Sequence, residues 1–311
     1  MKPTKDVNIT QLIDAAPMGR VQWSVILLCL ALTAVDGFDL QAIAFVAPKI
    51  AEEWHLPVSS FGAIFSSSLI GLMLGAFVLG FAADHLGRKA VLGGSLVAVV
   101  VFTLLTATAG SPTELLLYRF LTGLGLGGTM PTATSMTSEY SPRRLRATLV
   151  TIMACGFPFG ASLGGMAAGY LIPAYGWPAV FIFAGALAAA LAVLIAVFMP
   201  ESARFLASRS SESPRIGRMI EKLDPAYSYS PGDRFILSES LTASVSVAQL
   251  FNDGRAIGTA LIWSLFFFNL LAVYFFLNWL PALFRQTGFP STKRYSRRPC
   301  LTSEAWPELS R

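Results

Sequence analysis

Seven stretches of this chain are each about twenty residues or longer and almost wholly apolar: roughly 21–47, 60–82, 90–109, 114–137, 148–171, 178–199 and 258–284. A helix needs about 20 such residues to cross the hydrocarbon core of a bilayer. Lipid offers the backbone no hydrogen-bond partners, so only helices and closed barrels can span it. These runs are too long and too continuous for barrel strands. The expected fold class is therefore an all-α polytopic membrane protein. Composition agrees: the 311 residues are 54% hydrophobic and 13% charged, with a mean hydropathy of +0.60. A soluble domain carries about 25% charge. A disordered or nucleic-acid-coating chain is excluded, and an ordinary soluble enzyme is disfavoured.

Orientation follows from the basic residues, which accumulate in cytoplasmic loops. Lys2, Lys5 and Arg20 precede the first span. Arg88 and Lys89 follow the second, and Arg143, Arg144 and Arg146 follow the fourth. Seven more lie between spans six and seven. Through span six the opposite side holds only Lys49. The N-terminus and the 200–257 loop are thus expected in the cytoplasm. No short apolar segment with a cleavage site precedes Arg20, so the first span is read as an uncleaved anchor. Beyond Pro290 the pattern breaks, because a basic stretch falls on the side expected to be external. We expect a chain whose correct C-terminal sequence was lost, for instance by a frameshift near residue 290.

Few ionisable residues fall inside the spans. Each costs about 2.5–3.5 kcal/mol on insertion scales, which makes them functional candidates. Asp36 and Asp39 lie in Asp36-Gly37-Phe38-Asp39 of span one. A spacing of three places both carboxylates on one helix face, and Gly37 between them is expected to loosen the helix. Two acids this close do not ionise independently, which suits a proton carrier. Otherwise Asp39 caps a break in the helix, or the pair sits at the outer interface. Arg119 in span four cannot shed its proton and needs a carboxylate or a wet cavity. It either pairs with Asp36 or Asp39, or clamps a substrate carboxylate. Glu139 at the end of span four is expected to bond loop backbone or an arginine.

Other residue types say less. His55 and His85 lie in loops without the company a metal site needs, and Cys29, Cys155 and Cys300 suggest no disulfide framework. Neither a nucleophile–base pair nor a cofactor motif is present, so the expectation is a non-enzyme with no cofactor and no metal. The aromatic residues of span seven (Phe266, Phe267, Phe268, Tyr274, Phe275, Phe276 and Trp279) are expected to be mainly packing surface. A seven-helix receptor or retinal protein is a remote alternative. Residues 258–284 contain no lysine, and the expected orientation is reversed.

Four local patterns carry a family resemblance. Gly80-Phe-Ala-Ala-Asp84-His85-Leu-Gly87-Arg88-Lys89 resembles the major facilitator signature Gly-x-x-x-Asp-Arg-x-Gly-Arg-Lys/Arg, with His85 in place of its first arginine. Arg119-x-x-x-Gly123-x-Gly125-x-Gly127 resembles the span-four motif of that superfamily. Glu139-x-x-Pro142-x-x-x-Arg146 resembles its span 4–5 loop, and Pro200-Glu201-Ser202-x-Arg204 its motif after span six. Asp84, Arg88 and Lys89 can form a charge network with a neighbouring helix end, and Gly87 permits the tight turn there. Such a network can latch one access state.

Within the superfamily, Asp36-Gly37-Phe38-Asp39 and Tyr274-Phe-Phe-Leu-Asn278-Trp279-Leu-Pro281 are similar to the aromatic acid:proton symporters. The resemblance implies proton-coupled uptake of aromatic carboxylates across the cell inner membrane by a monomer. Asp36 and Asp39 would carry protons, and Arg119 would meet substrate in a cavity shared by spans one and four. Gly80, Asp84, Gly87, Arg88, Lys89, Glu139, Arg146, Glu201 and Arg204 would serve gating. A sugar, an aliphatic acid or an organic cation is the alternative cargo. The resemblance also implies twelve spans in two halves with substrate between them. On that plan the chain divides into a tail (1–20), a six-helix half (21–199), a central loop (200–257), a seventh span (258–284) and an aberrant basic tail (285–311). We expect this chain not to transport on its own.

Overall fold

The computed structural model describes residues 6–15, 17–209, 214–223, 227, 229, 234–236, 251–252 and 254–286. The expectations for residues 1–5 and for the stretch beyond 286 lie outside the described residues.

Seven long helices follow the seven apolar runs. They are α2 (Arg20–Glu53), α3 (Phe61–Leu86), α4 (Arg88–Thr106), α5 (Pro112–Tyr140), α6 (Arg143–Tyr175), α7 (Pro178–Phe198) and α10 (Ala256–Gln286). All except α5 are long and apolar enough to cross a membrane by length and composition alone. The exception carries Arg119, four glycines, six threonines and Pro131, and most of its central stretch is buried. The outward side chains are large and apolar: Phe77, Met166 and Val197 are 75%, 74% and 67% exposed. A contiguous surface of this kind is untenable in water and suited to lipid.

The helix boundaries have local causes. Ser111 caps α5 by accepting from the Glu114 N–H at 3.3 Å, with Pro112 in the first turn, where its missing donor costs nothing. Between α3 and α4 a single residue turns the chain. Gly87 adopts φ +100°, a conformation that side-chain-bearing residues avoid. Pro48, Pro131, Pro158 and Pro173 all lie within helices. Neighbouring helices in a membrane bundle re-satisfy the freed carbonyls.

Packing is closest along two seams. α3 runs against α5, where Gly71 and Gly75 face the backbone of Phe120 and Leu124, and Gly123 and Gly127 face that of Ser68 and Leu72. α2 runs against α6. Without a hydrophobic drive between helices, such small-residue contacts let dispersion act at short range. Gly37 belongs to this second seam. A Cβ there would overlap the Phe157 carbonyl. α2 continues unbroken through residues 36–39. The role of Gly37 is therefore close approach, rather than the expected loosening, and Asp39 caps no break.

Two apolar cores fill the bundle. One surrounds Ile43, Ile50, Phe61, Leu115 and Phe181 toward the Lys49 end. The other surrounds Leu32, Leu96, Met136 and Met153 and continues past the basic end of the bundle. There it takes in Ile9 and Ile13 from α1 (Ile9–Ala15), Ala203 from α8 (Ala203–Arg209), Ile216 and Ile220 from α9 (Pro214–Leu223), and Phe235. Strand β1 (Asp6–Asn8) pairs in parallel with β2 (Arg234–Ile236). The described parts of the N-terminal segment and of the central loop thus form one small packed layer on the bundle.

Candidate functional site

Asp39 and Arg119 meet in the middle of the bundle. Arg119 Nη1 lies 3.1 Å from Asp39 Oδ2, and the two side chains are 2% and 1% exposed. Threonines complete the cluster. Thr103 donates to Asp39 Oδ1 at 2.8 Å. Arg119 Nη2 donates to Thr106 at 2.9 Å and Thr122 at 3.0 Å, and its Nε donates to Thr106 at 3.2 Å. The Phe181 ring of α7 covers the guanidinium at 4.8 Å, a cation–π contact. Four helices thus converge on one ion pair. Both charges are neutralised and nearly every donor and acceptor is matched, the condition under which a buried pair persists.

The guanidinium pairs with Asp39, not Asp36. The pair does not line an open cavity between spans one and four, because Thr103, Thr106 and Phe181 close over it from α4 and α7.

Asp36 sits one turn earlier on α2 in different surroundings. It is 5% exposed and has no cationic partner among the described residues. Thr129 of α5 contacts Oδ2 at 2.6 Å, and Oδ1 makes no hydrogen bond among the described residues. The two acids therefore differ. Asp39 is fully engaged, and Asp36 is held on one oxygen only.

At the basic end, Arg88 bridges three elements. Its Nη2 lies 3.2 Å from Glu139 Oε1 and 3.3 Å from Asp84 Oδ1, and its Nη1 donates to Ser202 Oγ at 2.9 Å. Ser202 in turn donates to Glu139. Glu201 Oε1 accepts the backbone N–H groups of Lys89 at 3.0 Å and Ser202 at 2.9 Å, the former capping α4. Tyr140 donates to the Glu201 carbonyl at 2.7 Å. A Cβ at Gly87 would press on the Glu201 and Phe205 side chains. This assembles Asp84, Gly87, Arg88, Lys89, Glu139 and Glu201, with Lys89 contributing its backbone. Arg146 and Arg204 border an adjacent cleft of about 200 Å³ that is closed on one side by Ile9, Thr10 and Ile13. Gly80 stands apart. A Cβ there would meet nothing within 4 Å, and the structure offers no reason for a glycine.

Helix α10 touches the bundle near one end. Gln41 Nε2 donates to the Leu277 carbonyl at 2.5 Å, and the Trp279 ring meets Phe65 edge-on at 5.7 Å. Between Ile257 and Leu271 its large apolar side chains are exposed. Of the aromatic run, Tyr274 and Trp279 pack on other helices, whereas Phe266, Phe267, Phe268, Phe275 and Phe276 face outward.

Sequence reasoning missed the hydroxyls. Thr103, Thr106, Thr122 and Thr129 carry much of the hydrogen bonding around the buried charges, and Ser202 joins Arg88 to Glu139. The available signal was spacing: Thr103 and Thr106 share a face, and Thr122 lies three residues beyond Arg119.

Known proteins place this geometry. Residues 29–296 match the Major Facilitator Superfamily. The chain is 39% identical over 285 residues to a 4-hydroxybenzoate transporter of Pseudomonas putida, covering 91% of this chain and 64% of that protein. It is 39% identical over 294 residues to a gallate transporter of Pseudomonas putida, covering 93% and 64%. It thus spans less than two thirds of the length of either relative. A bacterial homologue of the human lysosomal transporter Spinster, solved in an inward-facing and unoccupied conformation, superposes with a TM-score of 0.64 at 18% identity, covering 87% of this chain and 57% of that one. The match over most of the chain, on a bundle of long apolar helices, shows that this chain belongs to the Major Facilitator Superfamily.

Proposed function

We propose that the protein is a proton-coupled symporter that brings aromatic carboxylates across the inner membrane, working as a monomer with its N-terminus in the cytoplasm. The observation that carries this reading is the unequal partnering of two buried acids on α2, one locked to Arg119 and the other held by a hydroxyl. Transport relatives for 4-hydroxybenzoate and gallate support the substrate class. The basic residues at one end support the orientation.

In the arrangement seen, Arg119 is committed to Asp39 and unavailable to a ligand. Protonation of Asp36 removes a negative charge that would repel an incoming carboxylate. The planar guanidinium then offers its fork to a substrate carboxylate, which it suits in bidentate fashion. Release of the anion and the proton inside restores the Asp39–Arg119 pair. The Arg88–Glu139–Ser202 network holds the cytoplasmic end closed in one state and parts in the other. Arg146 and Arg204 border this closure.

The test is uptake of labelled 4-hydroxybenzoate by cells expressing a version of the protein extended to the length of its relatives, with and without a protonophore, against a panel of ring acids, sugars and organic cations. Uptake should depend on the proton gradient and be competed by ring acids only. It should collapse in Asp36→Asn. Gradient-independent uptake, or wild-type accumulation by that variant, overturns the coupling. Competition by sugars or cations instead of ring acids overturns the substrate class.

A further inference from the structure

Thr129 has more hydrogen-bond contacts than its single proton can serve as donor. Its Oγ1 lies 2.6 Å from Asp36 Oδ2 and 2.6 Å from the carbonyl of Leu126. A hydroxyl carries one donor and two acceptor lone pairs. The Leu126 carbonyl can only accept. An ionised carboxylate can also only accept, whereas a protonated one can donate. Both short contacts are therefore hydrogen bonds at once only when the proton between Asp36 and Thr129 belongs to Asp36. When Asp36 is ionised, the hydroxyl must turn to it and leave the Leu126 carbonyl. Burial makes the alternatives costly to leave unmade, since Thr129 is 0% and Asp36 5% exposed.

We propose that Thr129 is a positioning residue of the proton site, whose hydroxyl alternates between Leu126 and Asp36 as Asp36 gains and loses a proton. This deepens, and rests on, the reading of the acid pair as the coupling site. On loading, a proton from water converts the Asp36 carboxylate to the acid. The acid then donates to Thr129 Oγ1, and the Thr129 hydrogen swings to the Leu126 carbonyl. On unloading, the steps reverse, and no other group gains or loses a proton.

The consequence reaches the helix of Arg119. A threonine bonded back to its own helix bends that helix. Pro131, two residues on, has no N–H to give the Gly127 carbonyl. The Gly127 carbonyl therefore lacks its usual helical partner, and the Thr129 back-bond joins that of Thr132 to the Gly128 carbonyl among the side-chain ties of this turn. The charge on α2 is thus read on α5 as the presence or absence of that bond.

The charged groups facing this site are Asp39 on the same helix and Arg119 on α5, already paired to each other. The middle portions of the other packed helices bring no Asp, Glu, Lys, Arg or His. Cys29, Cys155 and Tyr274 are the remaining titratable side chains of those portions among the described residues.

The experiment is infrared difference spectroscopy of the purified full chain in lipid, titrated with acid. The carboxyl C=O band that disappears in Asp36→Asn reports protonated Asp36. In Thr129→Val this band should move to higher frequency, because the acid loses its acceptor, and Thr129→Ser should restore it. Thr129→Ala carries the same expectation should valine disturb the packing. In a version extended to the length of the relatives, the pH of half-maximal uptake should shift in Thr129→Val and return in Thr129→Ser. A band unmoved in the valine and alanine variants overturns the role of Thr129 and leaves the coupling reading standing. Absence of any band sensitive to Asp36→Asn at every pH overturns both.

Discussion

Asp39 of α2 and Arg119 of α5 sit 3.1 Å apart with almost no exposure, and each is further held by threonines from α4 or α5. Removing one member leaves the other charged and buried, which costs about 3–5 kcal/mol. Asp39→Asn and Arg119→Leu should each lower the thermal unfolding midpoint in detergent strongly. The double variant should lose much less than the two losses combined, because no lone charge remains. Arg119→Lys should not rescue, since an ammonium cannot serve Asp39, Thr106 and Thr122 from one planar fork. Additive losses in the double variant would show that the pair contributes no mutual stabilisation.

The network at the basic end separates strong from weak contacts by exposure. Arg88 touches both Asp84 and Glu139, but the carboxylate of Asp84 is 70% exposed and that of Glu139 13%. Water and salt screen the first, so Asp84→Asn should cost under about 1 kcal/mol. Glu139→Gln strips the charge facing the enclosed Arg88 and perturbs the Ser202 bond. It should cost about 3 kcal/mol, the lower end for a broken buried pair. Thermal melts of the two variants at low and high salt decide. Equal losses would contradict the assignment of Glu139 as the principal partner.

The long helices could be read from sequence because lipid demands continuous apolar runs, and the buried charges because they are costly there. Even the pairing of Arg119 with an aspartate was one of two open readings. What could not be read was the choice between Asp36 and Asp39, which depends on the register of α2 against α5. The threonines were hidden because a hydroxyl in a span commonly bonds its own helix, as Thr106 and Thr122 also do here. The packed layer at the basic end was hidden for another reason. Ile9 and Ile13 occupy a helix of seven residues, too short to show an apolar period.

Glycine positions make opposite predictions. Gly37→Ala forces a methyl into the Phe157 carbonyl of α6, so α2 and α6 must separate. Folded yield and unfolding temperature should fall sharply. Gly80 belongs to the motif between spans two and three, yet a methyl there meets open space. Gly80→Ala should leave the unfolding temperature unchanged or raise it slightly, because glycine inside a helix costs roughly 0.5–1 kcal/mol relative to alanine. A stable Gly80→Ala protein that fails to transport would place the need for this glycine in a different conformation of the cycle.

Helix α10 is pinned at residues 277–279 and exposed along its first four turns, so its attachment near Phe65 and Trp279 is the seam to test. In the proposed orientation this seam lies toward the external end of the bundle. On the proposed mechanism, entry of substrate from outside should part this seam, and release inside should leave it closed. The ring centroids of Phe65 and Trp279 are 5.7 Å apart, so cysteines at the two positions face each other across the space the rings fill, a gap for a thiol cross-linker long enough to replace both rings. With Cys29, Cys155 and Cys300 replaced by serine, Phe65→Cys and Trp279→Cys together should cross-link in membranes. The cross-link should abolish uptake, and reduction should restore it when the reagent is cleavable. Each single cysteine should transport with or without the reagent. Continued uptake by the cross-linked protein would show that α10 stays fixed to α3 throughout the cycle, and the external path would then have to open elsewhere.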